Sequence, residues 1–175
     1  MPTRRSFLTG TLCLAGAAAA WVPNIHRALA PDPRTVSDGI RARQLALWEQ
    51  DDPAAIRAMR VANPEWDLMG RTFLVLALCC DALREPATAD RVLAVVDRIV
   101  DDTLDEVRDR GLQHYLLGYG AARPFRVQPA HSLFLDGELA LMLGARRLVA
   151  ERPALRAPMQ ERTTRMAARL LGSPI

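Results

Sequence analysis

The sequence predicts an all-α fold of repeated helical hairpins, either a partial (α/α) toroid or a compact helical bundle. Three observations predict it. Apolar residues recur at three- and four-residue spacings along most of the chain, and no segment shows the two-residue alternation of a half-buried strand. Segments that are apolar on every face alternate with segments that are apolar on one face. A Leu-Ala-Leu core recurs from Leu76 to Leu139. That period of about 63 residues suits a helical hairpin with a long return connection and is too long for a tetratricopeptide unit.

Residues 1–30 read as a leader and 31–175 as one α-helical domain. Thr3-Arg4-Arg5-Ser6-Phe7-Leu8 resembles a twin-arginine export signal, with Thr9 where a further basic residue is usual. The apolar stretch Phe7 to Val22 is interrupted by Gly10 and Gly16, too short and too rich in Gly and Ala for a membrane-spanning helix. Ala28-Leu29-Ala30 is a small-x-small cleavage pattern just before Pro31. Leu12 before Cys13 argues against a lipoprotein signal. The expected location is therefore the bacterial periplasm or the medium, with membrane anchoring if the leader stays attached. The expected partner is the twin-arginine export machinery.

In the domain, Asp38 to Gln50 reads as a first helix with Ile40, Leu45, Leu47 and Trp48. Asp52-Pro53 is a cap followed by Pro at the first helical position, opening a helix to about Ala62. Asn63-Pro64 repeats the device, with Glu65 and Asp67 in the first turn, where acids favour the helix dipole. That helix runs to Arg84 and is apolar all round from Phe73 to Cys80, which predicts burial on most sides and makes Cys79 and Cys80 small buried hydrophobes. A helix from Pro86 to about Arg110 carries Leu93, Val96, Val100, Leu104 and Val107 on one side and acids on the other, and ends at Gly111. Leu112 to Ala130 shows no clear structure of its own. A second all-apolar helix spans about Ser132 to Glu151, and a second amphipathic one about Leu155 to Leu171.

This order matches an α/α toroid, whose inner helices line an axis and whose outer helices shield them. A ring of six hairpins needs about 300 residues or more, so 31–175 is expected to supply the front half. Inner helices without ring neighbours predict an exposed apolar patch among Leu133, Leu139, Met142 and Leu143, through which the chain would form a homo-oligomer.

All 23 basic residues are Arg, which excludes a Schiff-base lysine and a P-loop lysine from this chain. Three Arg and no acid lie in residues 1–30, leaving 20 Arg against 20 acids elsewhere. The domain is neutral and carries no electrostatic signature for nucleic acid. No zinc spacing, Gly-rich phosphate loop, nucleophile elbow or Cys-x-x-Cys is present, so neither metal nor cofactor is expected.

Candidate chemistry gathers in the connection 112–130 and at the starts of the apolar helices. A structureless connection of that length is uncommon in a compact domain and often functional. It holds His114, Tyr115, Tyr119, Arg123, Arg126 and Gln128, with His131 next in line. His114, Tyr119 and His131 are candidate proton donors or acceptors at a pocket mouth, and Arg123 a candidate anion-binding group. The same residues equally pin a long loop to helix ends. Asp136 and Glu138 interrupt an apolar helix start, where acids must be solvated, paired or lining a cavity. They point about 200° apart. One is therefore a catalytic candidate, Asp136 by preference, while the other pairs with Arg123 or Arg126. The alternative is that Asp136 caps the helix. Asp67 and Arg71 pair at i, i+4, with Asp67 a candidate substrate-binding group.

Three stretches carry a family resemblance: Asn63-Pro64-Glu65-Trp66-Asp67-Leu68-Met69-Gly70-Arg71-Thr72-Phe73, the Arg123-Pro124-Phe125 loop, and Ser132-Leu133-Phe134-Leu135-Asp136-Gly137-Glu138. Together they resemble the linalool dehydratase/isomerase-like α/α-toroid family over about residues 35–174, the front half of its domain. The resemblance implies cofactor-independent acid–base chemistry of lyase or isomerase type on a small, largely apolar or carbohydrate-like molecule. The family's catalytic cysteines do not map onto Cys79 or Cys80. Without the family's later helices, this chain alone is expected to be inactive. The rival reading is a non-catalytic exported helical module that binds a partner protein.

The leader makes a direct prediction. Changing Arg4 and Arg5 together to Lys should hold the protein inside the cell, and the exported parent should begin at Pro31 on terminal sequencing. Export of the double variant at the parent's level would sink the twin-arginine reading.

Overall fold

Polar side chains and prolines start helices where the sequence places them. The computed structural model describes residues 4–29, 33–50, 52–123, 125 and 131–172. Among these residues the regular structure is wholly helical, so the fold is all-α. The chain divides into two units, residues 1–43 and 44–175, with the boundary inside the second helix.

The first unit holds α1 (Arg4–Leu29) and the beginning of α2 (Pro33–Glu49). α1 exposes Leu12, Leu14, Trp21 and Val22. No helix among the described residues is long and apolar enough to cross a membrane. Thr3 and the Ala30-Pro31 junction lie outside the described residues. α2 begins at Pro33 rather than at Asp38, consistent with the fixed φ of Pro suiting the first helical position.

The second unit begins in α2 and continues through α3 (Pro53–Ala62) and α4 (Pro64–Arg84). Asp52 Oδ1 accepts from the backbone N of Ala54 at 2.9 Å and of Ala55 at 3.2 Å. Asn63 ends α3 and starts α4, its Oδ1 accepting from Trp66 N at 3.0 Å. One residue thus satisfies orphan groups of two helices and sets a tight corner. Pro86–Thr88 forms a 3₁₀ turn, and α5 (Ala89–Arg110) follows it instead of starting at Pro86. Gly111 closes α5 at φ 78°, a conformation that favours glycine.

The connection after Gly111 is more ordered than expected. Leu112–Tyr115 is a 3₁₀ turn and Gly118–Ala121 a single helical turn, α6. Arg126, Gln128 and Ala130 lie outside the described residues. α7 (Leu133–Val149) opens with a reciprocal cap: Ser132 Oγ accepts from Leu135 N at 3.4 Å, and Asp136 Oδ2 accepts from Ser132 N at 3.0 Å. A 3₁₀ turn at Pro153–Leu155 leads into α8 (Arg156–Leu171).

α4 and α5 form an antiparallel hairpin, with Arg71 meeting Asp102 and Thr103. α7 and α8 form another: Met166 Sδ lies over Gly137 and Met159 Sδ over Gly144, one heptad apart on each helix. α7 packs on both α4 and α5. The shared core is Leu68, Val75 and Leu78 from α4, Val96, Ile99 and Val100 from α5, and Leu135, Leu139, Met142 and Leu143 from α7. Each such side chain contributes about 1.5–3 kcal/mol by leaving water. At the far end, Arg146 makes a two-pronged pair with Asp97 at 2.7 and 2.9 Å, and Arg152 bridges Asp97 and Asp101.

The apolar helices are not buried on most sides. α4 leaves Trp66, Gly70, Phe73, Ala77 and Cys80 exposed, in four- and three-residue steps along one stripe. Cys80 is therefore not a buried hydrophobe, whereas Cys79 is, and burial pushes its thiol up to about 11. α7 exposes Phe134, Leu141 and Leu148 at seven-residue steps. The exposed patch expected at Leu133, Leu139, Met142 and Leu143 is thereby corrected. Leu139, Met142 and Leu143 face the core, and Leu133 is the member that remains exposed. An all-apolar helix does not reveal which of its faces packs.

Two neighbouring leucines of α7 separate these faces. Leu139→Ala should lower stability by about 2–5 kcal/mol in urea unfolding. Leu141→Ala should change it by no more than about 0.5 kcal/mol. Equal losses would show that both faces of α7 are packed in solution.

Candidate functional site

Charged side chains from three helices meet where α3, the start of α4 and the end of α5 surround the turn Leu112–Tyr115. Arg60, in the last turn of α3, lies over Asp67 in the first turn of α4 because the Asn63 corner folds one helix onto the other. Arg60 Nε donates to Asp67 Oδ2 at 2.8 Å, and Arg71 Nε donates to Asp67 Oδ1 at 3.3 Å. Both oxygens of Asp67 thus carry a guanidinium. The Asp67–Arg71 pair expected from spacing is present, and Asp67 is buried.

Arg60 uses its remaining nitrogens across the site. Nη1 pairs with Glu106 Oε1 of α5 at 2.8 Å and donates to His114 Nε2 at 3.2 Å. Nη2 donates to the Tyr115 hydroxyl at 3.4 Å. Arg71 Nη1 reaches Asp102 Oδ2 and donates to Thr103 Oγ1 at 3.0 Å, and its guanidinium lies 5.1 Å over the Trp48 ring. The aromatic face thereby offers partial negative charge to a guanidinium whose Nη2 has no hydrogen-bond partner among the described residues. Glu65 Oε1 accepts from Leu117 N at 3.2 Å, tying the connection back to α4.

Electrostatics fix the protonation states. Burial pushes the Tyr115 hydroxyl up to about 12, so it stays a neutral phenol. Burial, with the Arg60 charge beside it, holds His114 below its ordinary value. A guanidinium only donates, so the Nε2 that accepts from Arg60 carries no proton. Folding favours this neutral imidazole. The stability it contributes is present above about pH 6.5 and lost as pH falls through the lowered folded value.

Asp136 stands at a different place, in the first turn of α7, and is buried. Its arginine neighbour is Arg162 of α8, with Nε 3.9 Å from Oδ1, not Arg123; Arg126 lies outside the described residues. Burial lowers the Arg162 guanidinium. The N-cap is Ser132, so the alternative that Asp136 itself caps the helix is corrected: Asp136 lies within the first turn and accepts from Ser132 N. Glu138 Oε2 is buried without a hydrogen-bond partner among the described residues. His131 is half-buried directly before Ser132. Tyr119 is 73% exposed. Arg123 is exposed, and its backbone carbonyl accepts from Gln113 Nε2 at 3.3 Å.

The structure thus joins Asp67, His114 and Tyr115 through Arg60, and adds Arg60 and Glu106, which the sequence had not marked as site residues. No group of three or more His, Cys, Asp or Glu among the described residues is placed to hold a metal ion. Chemically, the cluster neutralises buried charge and favours the neutral form of one imidazole. Asp67 is buried and its charge is neutralised by two guanidinium groups, one on each oxygen. No protein-family model, curated protein or solved structure matches this chain.

The saturation of Asp67 has an energetic consequence. Asp67→Asn leaves Arg60 and Arg71 short of an anion in a dry site and should cost about 3–5 kcal/mol in urea unfolding. Asp105→Asn, in an exposed pair with Arg108, should leave the midpoint unchanged. Equal midpoints for both variants would mean that water reaches the cluster.

Proposed function

We propose that the chain is an exported helical protein whose working surface is the apolar face left open on α4 and α7. The observation that supports this reading is the pair of exposed stripes, Trp66, Phe73 and Cys80 on one helix and Phe134, Leu141 and Leu148 on the other. Exposed apolar stripes of this kind are costly to keep in water and mark places where something apolar binds. In a toroid of the linalool dehydratase/isomerase-like kind, α4 and α7 would be inner helices and α5 and α8 the outer ones. The open stripes would then line the axis and receive a small, largely apolar molecule.

Acid–base catalysis by this chain alone has weaker support. Asp67 is neutralised by two guanidinium groups, and Asp136 completes a helix cap. A non-catalytic module that offers the same face to a partner is favoured by that saturation. His114 keeps the catalytic reading open, as a neutral, partly exposed imidazole beside a carboxylate.

An apolar fluorescent probe should bind the folded full-length chain. Phe73→Asp and Leu141→Asp should each remove most of that binding while far-UV circular dichroism keeps its helical signal. Displacement of the probe by short-chain apolar alcohols favours the small-molecule reading, and resistance to them favours the module. Binding that survives both substitutions would sink the face as the working surface.

A further inference from the structure

The His114 imidazole stands between a donor and an acceptor that claim the same nitrogen. Nε2 accepts from Arg60 Nη1 at 3.2 Å and lies 3.4 Å from Glu106 Oε2. Glu106 Oε2 is buried and has no hydrogen-bond partner among the described residues; its ion-pair partner is the exposed Arg110, with Nε 3.1 Å away. Neutral Nε2 serves Arg60 and leaves Glu106 Oε2 to the exposed Arg110 alone. Protonated Nε2 cannot accept from a guanidinium and becomes the donor that Glu106 Oε2 lacks. The two protonation states therefore prefer different partners, one on α3 and one on α5.

We propose that His114 is a proton-operated latch, which holds the turn Leu112–Tyr115 to α3 through Arg60 when neutral and to α5 through Glu106 when charged. Leu112 and Tyr115 anchor the turn in the core, so the exchange is a rotation of the half-buried imidazole on a fixed base. His114 N donates to Gly111 O at 3.2 Å and Leu116 N to Gln113 O at 3.0 Å, bonds within the turn itself. Exchange of the partner rotates the imidazole beside Tyr115, whose ring it meets edge-on with centroids 5.7 Å apart. Tyr115 in turn lies under Arg60, with the guanidinium carbon 5.0 Å from its ring centroid. The movement is thus passed to the guanidinium that holds Asp67. The groups around His114 are Arg60 from α3, Asp67 from α4, Glu106 and Arg110 from α5, and Tyr115 beside it. On α6 the titratable side chain is Tyr119, which is exposed. Within this set the cations oppose protonation and the carboxylates favour it, so the latch sits at a balance that either partner can shift. The inference is independent of any catalytic role for His114.

Imidazole ¹⁵N NMR on the full-length chain, with amide hydrogen exchange across the titration, tests it. Neutral His114 should be the Nδ1–H tautomer. Amides of residues 112–117 should change exchange rate severalfold in a step that shares the His114 midpoint. Glu106→Gln removes the anion that receives the charged form and should move the midpoint down. His114→Gln offers Arg60 a permanent carbonyl acceptor and should abolish the step while the helical signal remains. An Nε2–H tautomer in the neutral state, a midpoint unmoved by Glu106→Gln, or a step that persists in His114→Gln would each overturn the proposal.

Discussion

The arrangement of the second unit depends on the burial of the Arg60 guanidinium. An isolated charge there would cost several kcal/mol, a large share of a domain's net stability. It is tolerated because three helices converge to serve it. Asp67 of α4 takes Nε, Glu106 of α5 takes Nη1, and the Tyr115 hydroxyl takes Nη2. Removing α4 or α5 takes away one of the two counter-ions of Arg60, so α3, α4 and α5 are held as a set. α5 is the common member. Asp102 and Glu106, one turn apart, grip Arg71 and Arg60, while Asp97 and Asp101, also one turn apart, grip Arg146 and Arg152. An amphipathic helix whose polar side looks solvated in sequence is in fact the clamp for both apolar helices.

Much of the helical framework was legible because its causes are local. Asp52-Pro53, Asn63-Pro64, Ser132 and Gly111 act on their own neighbours, through a side-chain cap or a positive φ, and need no tertiary partner. The depth of burial was not legible. Leu139 and Leu141 lie two residues apart in one apolar run, yet one meets the core and the other water. Period alone sorts apolar from polar faces, and where every face is apolar it has nothing to sort.

The site shows the same division. Asp67 and Arg71 were legible as an i, i+4 pair because the helix itself brings them together. Arg60 and Glu106 were not, because 46 residues of chain and the α4–α5 turn separate them. In sequence Arg60 is an ordinary cation in a last turn and Glu106 one acid among several. Tyr115 and Tyr119 were equivalent as loop aromatics, but the 3₁₀ turn carries the first into the core and the next turn carries the second into solvent. His114 was marked by its place in an unusual connection, the one signal available without the fold.

These two features, the charged cluster and the open apolar face, are physically linked. Apolar contact is non-directional, so a helix such as α4, apolar all round, loses little hydrophobic energy when it turns about its own axis. Asp67 and Arg71 are the exception. They lie on one side of α4, and their partners Arg60, Asp102 and Thr103 receive them in a single rotational setting. Turning α4 by one residue, about 100°, would pull both charges off their partners and expose or orphan them. At the other apolar helix, Arg146 lies on the core side and fixes α7 through Asp97 of α5, while Asp136 near the opposite end faces Arg162 of α8. The polar pins therefore decide which apolar stripe faces inward and which is left for water. In this molecule a few directional ion pairs select the rotational setting that leaves Trp66, Phe73, Leu141 and Leu148 on the surface, and the hydrophobic effect alone would not have chosen it.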